Sequence, residues 1–175
     1  MSMIRIAGTE FSLKNKSFEI YVQGCSRHCP GCHNPDTQPF NGGEEVDIQK
    51  FLIQQYRKVN PFIKSGIVKN LYVSGGDLLC LDRDTILDFS IGLSILFSPE
   101  LNLWLFTGAE EERIPQEIWT YYDVVKCGAF DKNNLNPEGT FPASKNQKLL
   151  FNSYYRERLE PLFKNTEFKG EKKWK

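Results

Sequence analysis

The sequence predicts an α/β fold, an open sheet of about five to six mostly parallel strands forming a partial (βα) barrel. Three observations carry that expectation. β-rich runs alternate with amphipathic helical segments, the pattern of βαβ units. Three of the runs end in chemically distinctive turns, Gly24-Cys25, Gly75-Gly76-Asp77 and Thr107-Gly108, and right-handed crossovers bring such turns to one edge. The runs are too few for a closed eight-stranded barrel, so the sheet is expected to stay open.

The elements follow in order. Phe18-Glu19-Ile20-Tyr21-Val22 is β-rich and ends at Gly24-Cys25. From Ser26 to Glu45 the chain carries Pro30, Pro35 and Pro39 among Gly, Asn and Asp, and reads as neither strand nor helix. Asp47 can cap a helix whose Ile48, Phe51, Leu52, Tyr56 and Val59 keep helical spacing. Val68 to Val73 reads as the next strand, and Asp82 opens a second helix through Phe97. Leu101 to Phe106 is a third strand. Pro115 to Tyr122 reads as a shorter helix, followed by Val124-Val125. A last strand is expected at Lys148 to Phe151, with a helix from Ser153 to Phe163. Residues 1–163 are thus expected to form a single domain, and 164–175 a polar, basic, frayed tail.

Size and charge narrow the function. The chain has 175 residues, enough for one core, and its 40% hydrophobic and 13% aromatic content suits a globular protein. Lys+Arg and Asp+Glu both total 22, so no bulk positive potential favours nucleic acid. The stretch from Ile86 to Phe97 is short for a bilayer and contains Asp88. No charged-then-apolar leader follows Met1. The expectation is a cytoplasmic protein without membrane or nucleic-acid partners. Its 5 cysteines are odd in number and partly clustered, which favours metal ligation over disulfides.

The cluster is Cys25-Ser26-Arg27-His28-Cys29-Pro30-Gly31-Cys32. Three thiolates are one too few for a closed tetrahedral zinc site. They suit a [4Fe–4S] cluster with one iron left open, since closely spaced cysteines on a loop bring their sulfurs to one face of it. A Cys3His zinc knuckle using His28 or His33 stays open as an alternative, that of a zinc-stabilised binding module. Ser74-Gly75-Gly76-Asp77 can be a plain glycine turn with an acidic helix cap. Beside a cluster, its glycines can admit a ligand closely and its carbonyls accept from a ligand ammonium, with Asp77 supplying compensating charge.

The cysteine motif resembles that of the radical S-adenosylmethionine (radical SAM) superfamily. Several further segments are similar to the activating enzymes of glycyl-radical proteins, above all those of anaerobic (class III) ribonucleotide reductase. They are Gln23-Gly24-Cys25, Cys29 through Asn34 with Thr37, Ser74 through Asp77, Leu103 through Gly108, Asp123-Val124-Val125 with Gly128 and Phe130, and Ser144-Lys145-Asn146-Gln147. Departures are Gly31 and His33 around the third cysteine, Leu78 where Pro is common, Gln38 where Trp is common, and Lys126-Cys127.

The resemblance implies a radical SAM partial barrel with Cys25, Cys29 and Cys32 as cluster ligands. It implies S-adenosyl-L-methionine along Gly31, Cys32, His33 and Asn34, with Gly75, Gly76, Asp77 and Thr107 at its other end. His33 can stack on adenine or be a polar loop residue. The implied activity is reductive cleavage of SAM to a 5′-deoxyadenosyl radical, which installs a glycyl radical on a large anaerobic ribonucleotide reductase. An external one-electron donor, such as a flavodoxin-type protein, supplies the reducing equivalent. No side chain is then required as a general acid or base, so the histidines are not a catalytic pair. A different glycyl-radical enzyme, a small molecule or a nucleoside is the alternative substrate. Cys80 and Cys127 are too few for a second cluster and are expected to be buried free thiols. Trp104 and Phe106 are expected in the core.

Overall fold

The computed structural model describes residues 2–152. The strands are β1 (Met3–Ser12), β2 (Ser17–Val22), β3 (Glu44–Asp47), β4 (Asn70–Gly75), β5 (Asn102–Phe106), β6 (Val124–Cys127) and β7 (Lys148–Phe151), with helices α1 (Ile48–Lys64) and α2 (Arg83–Phe97). The strands form one mixed, unclosed 7-stranded sheet in the order β3-β1-β2-β4-β5-β6-β7.

The centre is parallel: β2 pairs with β4, β4 with β5 and β5 with β6. The flanks are antiparallel, β1 to β2, β1 to β3, and β6 to β7. The sheet therefore has more strands, and a smaller parallel share, than the sequence predicts. β1 was hidden by Gly8 and by a register shift between Ile6 and Gly8. β3 is acidic with no buried residue, and exists because β1 supplies its ladder. β7 returns antiparallel because no helix lies between β6 and β7 to make a parallel crossover.

One face of the sheet buries Phe18, Ile20, Val22, Leu71, Val73, Leu103, Leu105 and Val125 against α1 and α2. α1 contributes Ile48, Phe51, Leu52 and Val59; α2 contributes Phe89, Leu93 and Phe97. Asp47 accepts from Lys50 N at 2.9 Å and Asp82 from Thr85 N at 2.9 Å, which satisfies first-turn amides of each helix. The opposite face carries Trp104 and Val124, packed with Tyr72, Phe106, Phe141, Leu149 and Phe151. Apolar residues on both faces explain why the central strands read as near-continuous hydrophobic runs.

In place of the predicted helix over 115–122 the chain makes 3-10 turns at Glu111–Arg113 and Gln116–Thr120. Only Ile118 of the second is buried, too little apolar surface to hold an α-helix. The helix expected at 153–163, the domain boundary at 163 and the tail 164–175 lie outside the described residues. Among the described residues no helix is long and apolar enough to cross a membrane.

Candidate metal centre

The C-terminal ends of the parallel strands converge, because register aligns Val22 with Gly75 and Phe106 with Lys126. Backbone bonds then weld the turns beyond them. Gly76 N donates to Val22 O at 2.8 Å, Asp77 N to Gly24 O at 2.9 Å, and Thr107 N to Lys126 O at 2.9 Å. A Cβ on Gly76 would stand 2.4 Å from Gly24 O, so that close approach requires glycine.

The cysteine loop leaves β2 and is closed at its base. Gly24 N donates to Thr37 O at 2.8 Å and Cys25 N to Gln38 O at 2.9 Å. The buried Gln23 amide donates to Asp36 O and Pro39 O at 3.1 and 2.6 Å. Within the loop, Cys32 N donates to Cys29 O at 3.1 Å, and Gly31 takes the left-handed conformation with φ 75°. Asn34 O receives Thr37 N and Thr37 Oγ1 at 3.1 and 2.8 Å. Cys25, Cys29 and Cys32 are free and half-buried.

Asp77 is buried at 1% exposure. Its Oδ2 accepts from Arg27 Nε, from Thr107 Oγ1 at 2.9 Å and from Gly108 N at 2.9 Å; its Oδ1 accepts from Leu79 N at 3.0 Å. Arg27 lies so close over Gly108 that a Cβ there would meet its Cδ at 2.4 Å. One carboxylate thus joins the cysteine loop, its own turn and the turn after β5. Arg27 was not singled out from sequence; the signal was a lone cation two residues past Cys25, with an acid in the neighbouring strand-end turn.

A second wall comes from the turn after β6. The His33 ring lies 4.4 Å from that of Phe130, so its aromatic partner here is this chain's own. Gly31 faces Lys132 and Phe130. Buried Gln147 donates to Gly128 O at 3.1 Å and accepts from Ser144 N at 3.2 Å, while Asn146 donates to Ala129 O at 2.7 Å. The Ser144–Gln147 segment therefore props this wall from behind.

Lys126 reaches over the Phe106 ring at 5.9 Å, and burial lowers its pKa, against the nearby negative charges of Asp77 and the cysteines. Trp104 is buried, as expected, and Phe106 half-buried beside it. Cys127 is buried at 1%, and burial pushes its thiol up to about 11. Cys80 is not buried as expected: it is half-exposed and lies beside the Cys25 turn, where Ser26 Oγ donates to its Sγ at 3.4 Å and its thiol interacts with that of Cys25. That contact raises Cys25, with burial adding to it, and holds Cys80 down at about 6, helped by hydrogen bonds from Ser26.

A single zinc ion draws its donors to within about 2.3 Å of one point. Among the described residues no three His, Cys, Asp or Glu side chains are grouped to hold one ion. A cluster of four irons takes its thiolates at separate corners, and a sulfur-only set on one loop fits that larger object.

Residues 16–150 match the family described as 4Fe-4S single cluster domain. The chain is 30% identical over 136 residues to the anaerobic ribonucleoside-triphosphate reductase-activating protein of Enterobacteria phage T4, spanning 77% of this chain and 83% of that one. The protein of the same description from Haemophilus influenzae is 26% identical over 133 residues, 73% of this chain and 83% of its own. A shorter match, 37% over 60 residues, links it to the pyruvate formate-lyase-activating enzyme of Clostridium pasteurianum, covering 34% of this chain and 24% of that one.

Proposed function

Since the chain belongs to the 4Fe-4S single cluster domain family, and within it to the anaerobic ribonucleoside-triphosphate reductase-activating proteins, we propose that it installs the glycyl radical on a reductase of that kind. When bound, a [4Fe–4S] cluster together with S-adenosyl-L-methionine would supply the one-electron chemistry for that hydrogen abstraction. The observation that carries the reading is the position of Cys25, Cys29 and Cys32 on a closed loop, bonded to the Gly75-Gly76 turn through Gly24 O.

In this reading those three cysteines would hold the cluster, and the open sheet is a partial barrel of the radical SAM kind. Gly31, Cys32, His33 and Asn34 flank the nucleotide side. Asp77 and Thr107 bond one another, and their task is to fix the turn whose Gly75 and Gly76 backbone groups receive the methionyl end. Arg27 neutralises Asp77 and pins the cysteine loop to the turns beside it. The unclosed sheet leaves room for a glycine loop of the partner to enter and exclude water. A soluble donor of flavodoxin type and a cytoplasmic setting complete the reading, with residues 1–163 as its single domain.

The test is anaerobic incubation of protein, SAM and reductant, with and without the candidate reductase. Expected are deoxyadenosine release and a glycyl doublet in the electron paramagnetic resonance spectrum of the reductase. Deoxyadenosine that depends on a small substrate, with no protein radical, would overturn the proposal.

A further inference from the structure

Cys80 ends the 3-10 turn Leu78–Cys80, which Asp77 caps and which closes with Cys80 N donating to Asp77 O at 2.8 Å. Asp77 N, on Gly24 O, fastens that turn to the residue before Cys25. Ser26 Oγ, one residue past Cys25, donates to Cys80 Sγ at 3.4 Å, which sets the Cys80 thiol beside the Cys25 turn. Both cysteines are half-exposed, within reach of small reagents. Backbone bonds between the two turns, with the Ser26 hydroxyl, thus bring the Cys25 and Cys80 positions together.

We propose that Cys25 and Cys80 form a disulfide when the metal-free protein meets a two-electron thiol oxidant, a modification that withdraws Cys25 until it is reduced. Two S–H bonds break and one S–S bond forms. With hydrogen peroxide, the O–O bond breaks and the two protons and two electrons end in two waters. With a low-molecular-weight disulfide they end in two thiols. The cross-link itself stands on the placement of the two thiols. Its consequence for metal loading rests on the reading of Cys25 as a cluster ligand.

Trypsin separates the cysteines cleanly: Cys25 falls in 17–27, Cys29 and Cys32 in 28–50, Cys80 in 70–83 and Cys127 in 127–132. The full-length metal-free protein is treated with hydrogen peroxide, alkylated, and digested without reductant. Mass spectrometry is expected to find 17–27 linked to 70–83, with the species absent from Cys80→Ser and released by a phosphine. Cys25 joined to 28–50 instead, or Cys80 alkylated as fully as without peroxide, would overturn the proposal. Anaerobic iron uptake separates the two readings. The oxidised protein is expected to bind several-fold less iron than the phosphine-reduced protein. A cross-linked protein that loads iron normally refutes Cys25 as ligand; a reduced protein that loads iron with no cross-link ever found refutes the disulfide alone.

Discussion

Asp77 takes a carboxylate out of water and surrounds it with donors from three separate turns. Charge-assisted bonds of this kind are strong, and exchanging one carboxylate oxygen for an amide nitrogen removes the charge facing Arg27 and leaves the donors on one side without an acceptor. Asp77→Asn is therefore expected to lower stability by about 2–4 kcal/mol, less than a fully buried pair because Arg27 is partly exposed. Urea unfolding measures it. An unchanged midpoint would mean that the carboxylate ties nothing together. The sequence made Asp77 legible as a residue of consequence, since an acid after two glycines at a strand end invites attention. It could not reveal Arg27 as the partner, because fifty residues separate them and only the converging strands bring them together.

At the level of elements, the wall formed by 128–132 depends on a segment that carries no metal-binding chemistry. Gln147 ties the two together, donating to Gly128 O in the wall and accepting from Ser144 N in its own segment while buried at 5%. Gln147→Ala leaves both groups without that partner and is expected to cost about 2 kcal/mol. Amide hydrogen exchange would then quicken across 128–132 and in the cysteine loop that leans on it through His33. Exchange confined to 144–147 would sever the proposed link. Both helices were readable because Asp47 and Asp82 cap them and their apolar spacing is helical, and the central strands because they are near-continuous apolar runs. β1 and β3 were not, since β1 is bulged at Gly8 and β3 is Glu-Glu-Val-Asp. The alternation of β1 stops after Ile6 and β3 has none; β1 is held between β2 and β3, and β3 is a strand because β1 is there.

For the molecule as a whole, the buried core between sheet and helices contains none of Cys25, Cys29 and Cys32. Burial of that apolar surface drives folding, and the proposed metal centre sits at its rim. Cys29→Ala is expected to lose the brown colour and SAM cleavage while keeping its circular dichroism spectrum and a cooperative melt within a few degrees of the metal-free parent. A Cys29→Ala chain that failed to fold would place this protein with the small domains that metal holds together. The placement of the site at one edge was legible from the turns that end the strands. Its second wall was not, because the chain from Gly128 to Gln147 has no regular period and is organised by side-chain amides.

The base of the cysteine loop, drawn shut by the Gly24 and Cys25 amides on Thr37 and Gln38, has a thermodynamic consequence. Fixing a residue's backbone costs on the order of 1–2 kcal/mol, and here much of that ordering is completed by the polypeptide before any iron arrives. If those cysteines hold the cluster as proposed, its assembly resembles filling a prepared socket, with little disorder left to surrender on capture and little to regain on release.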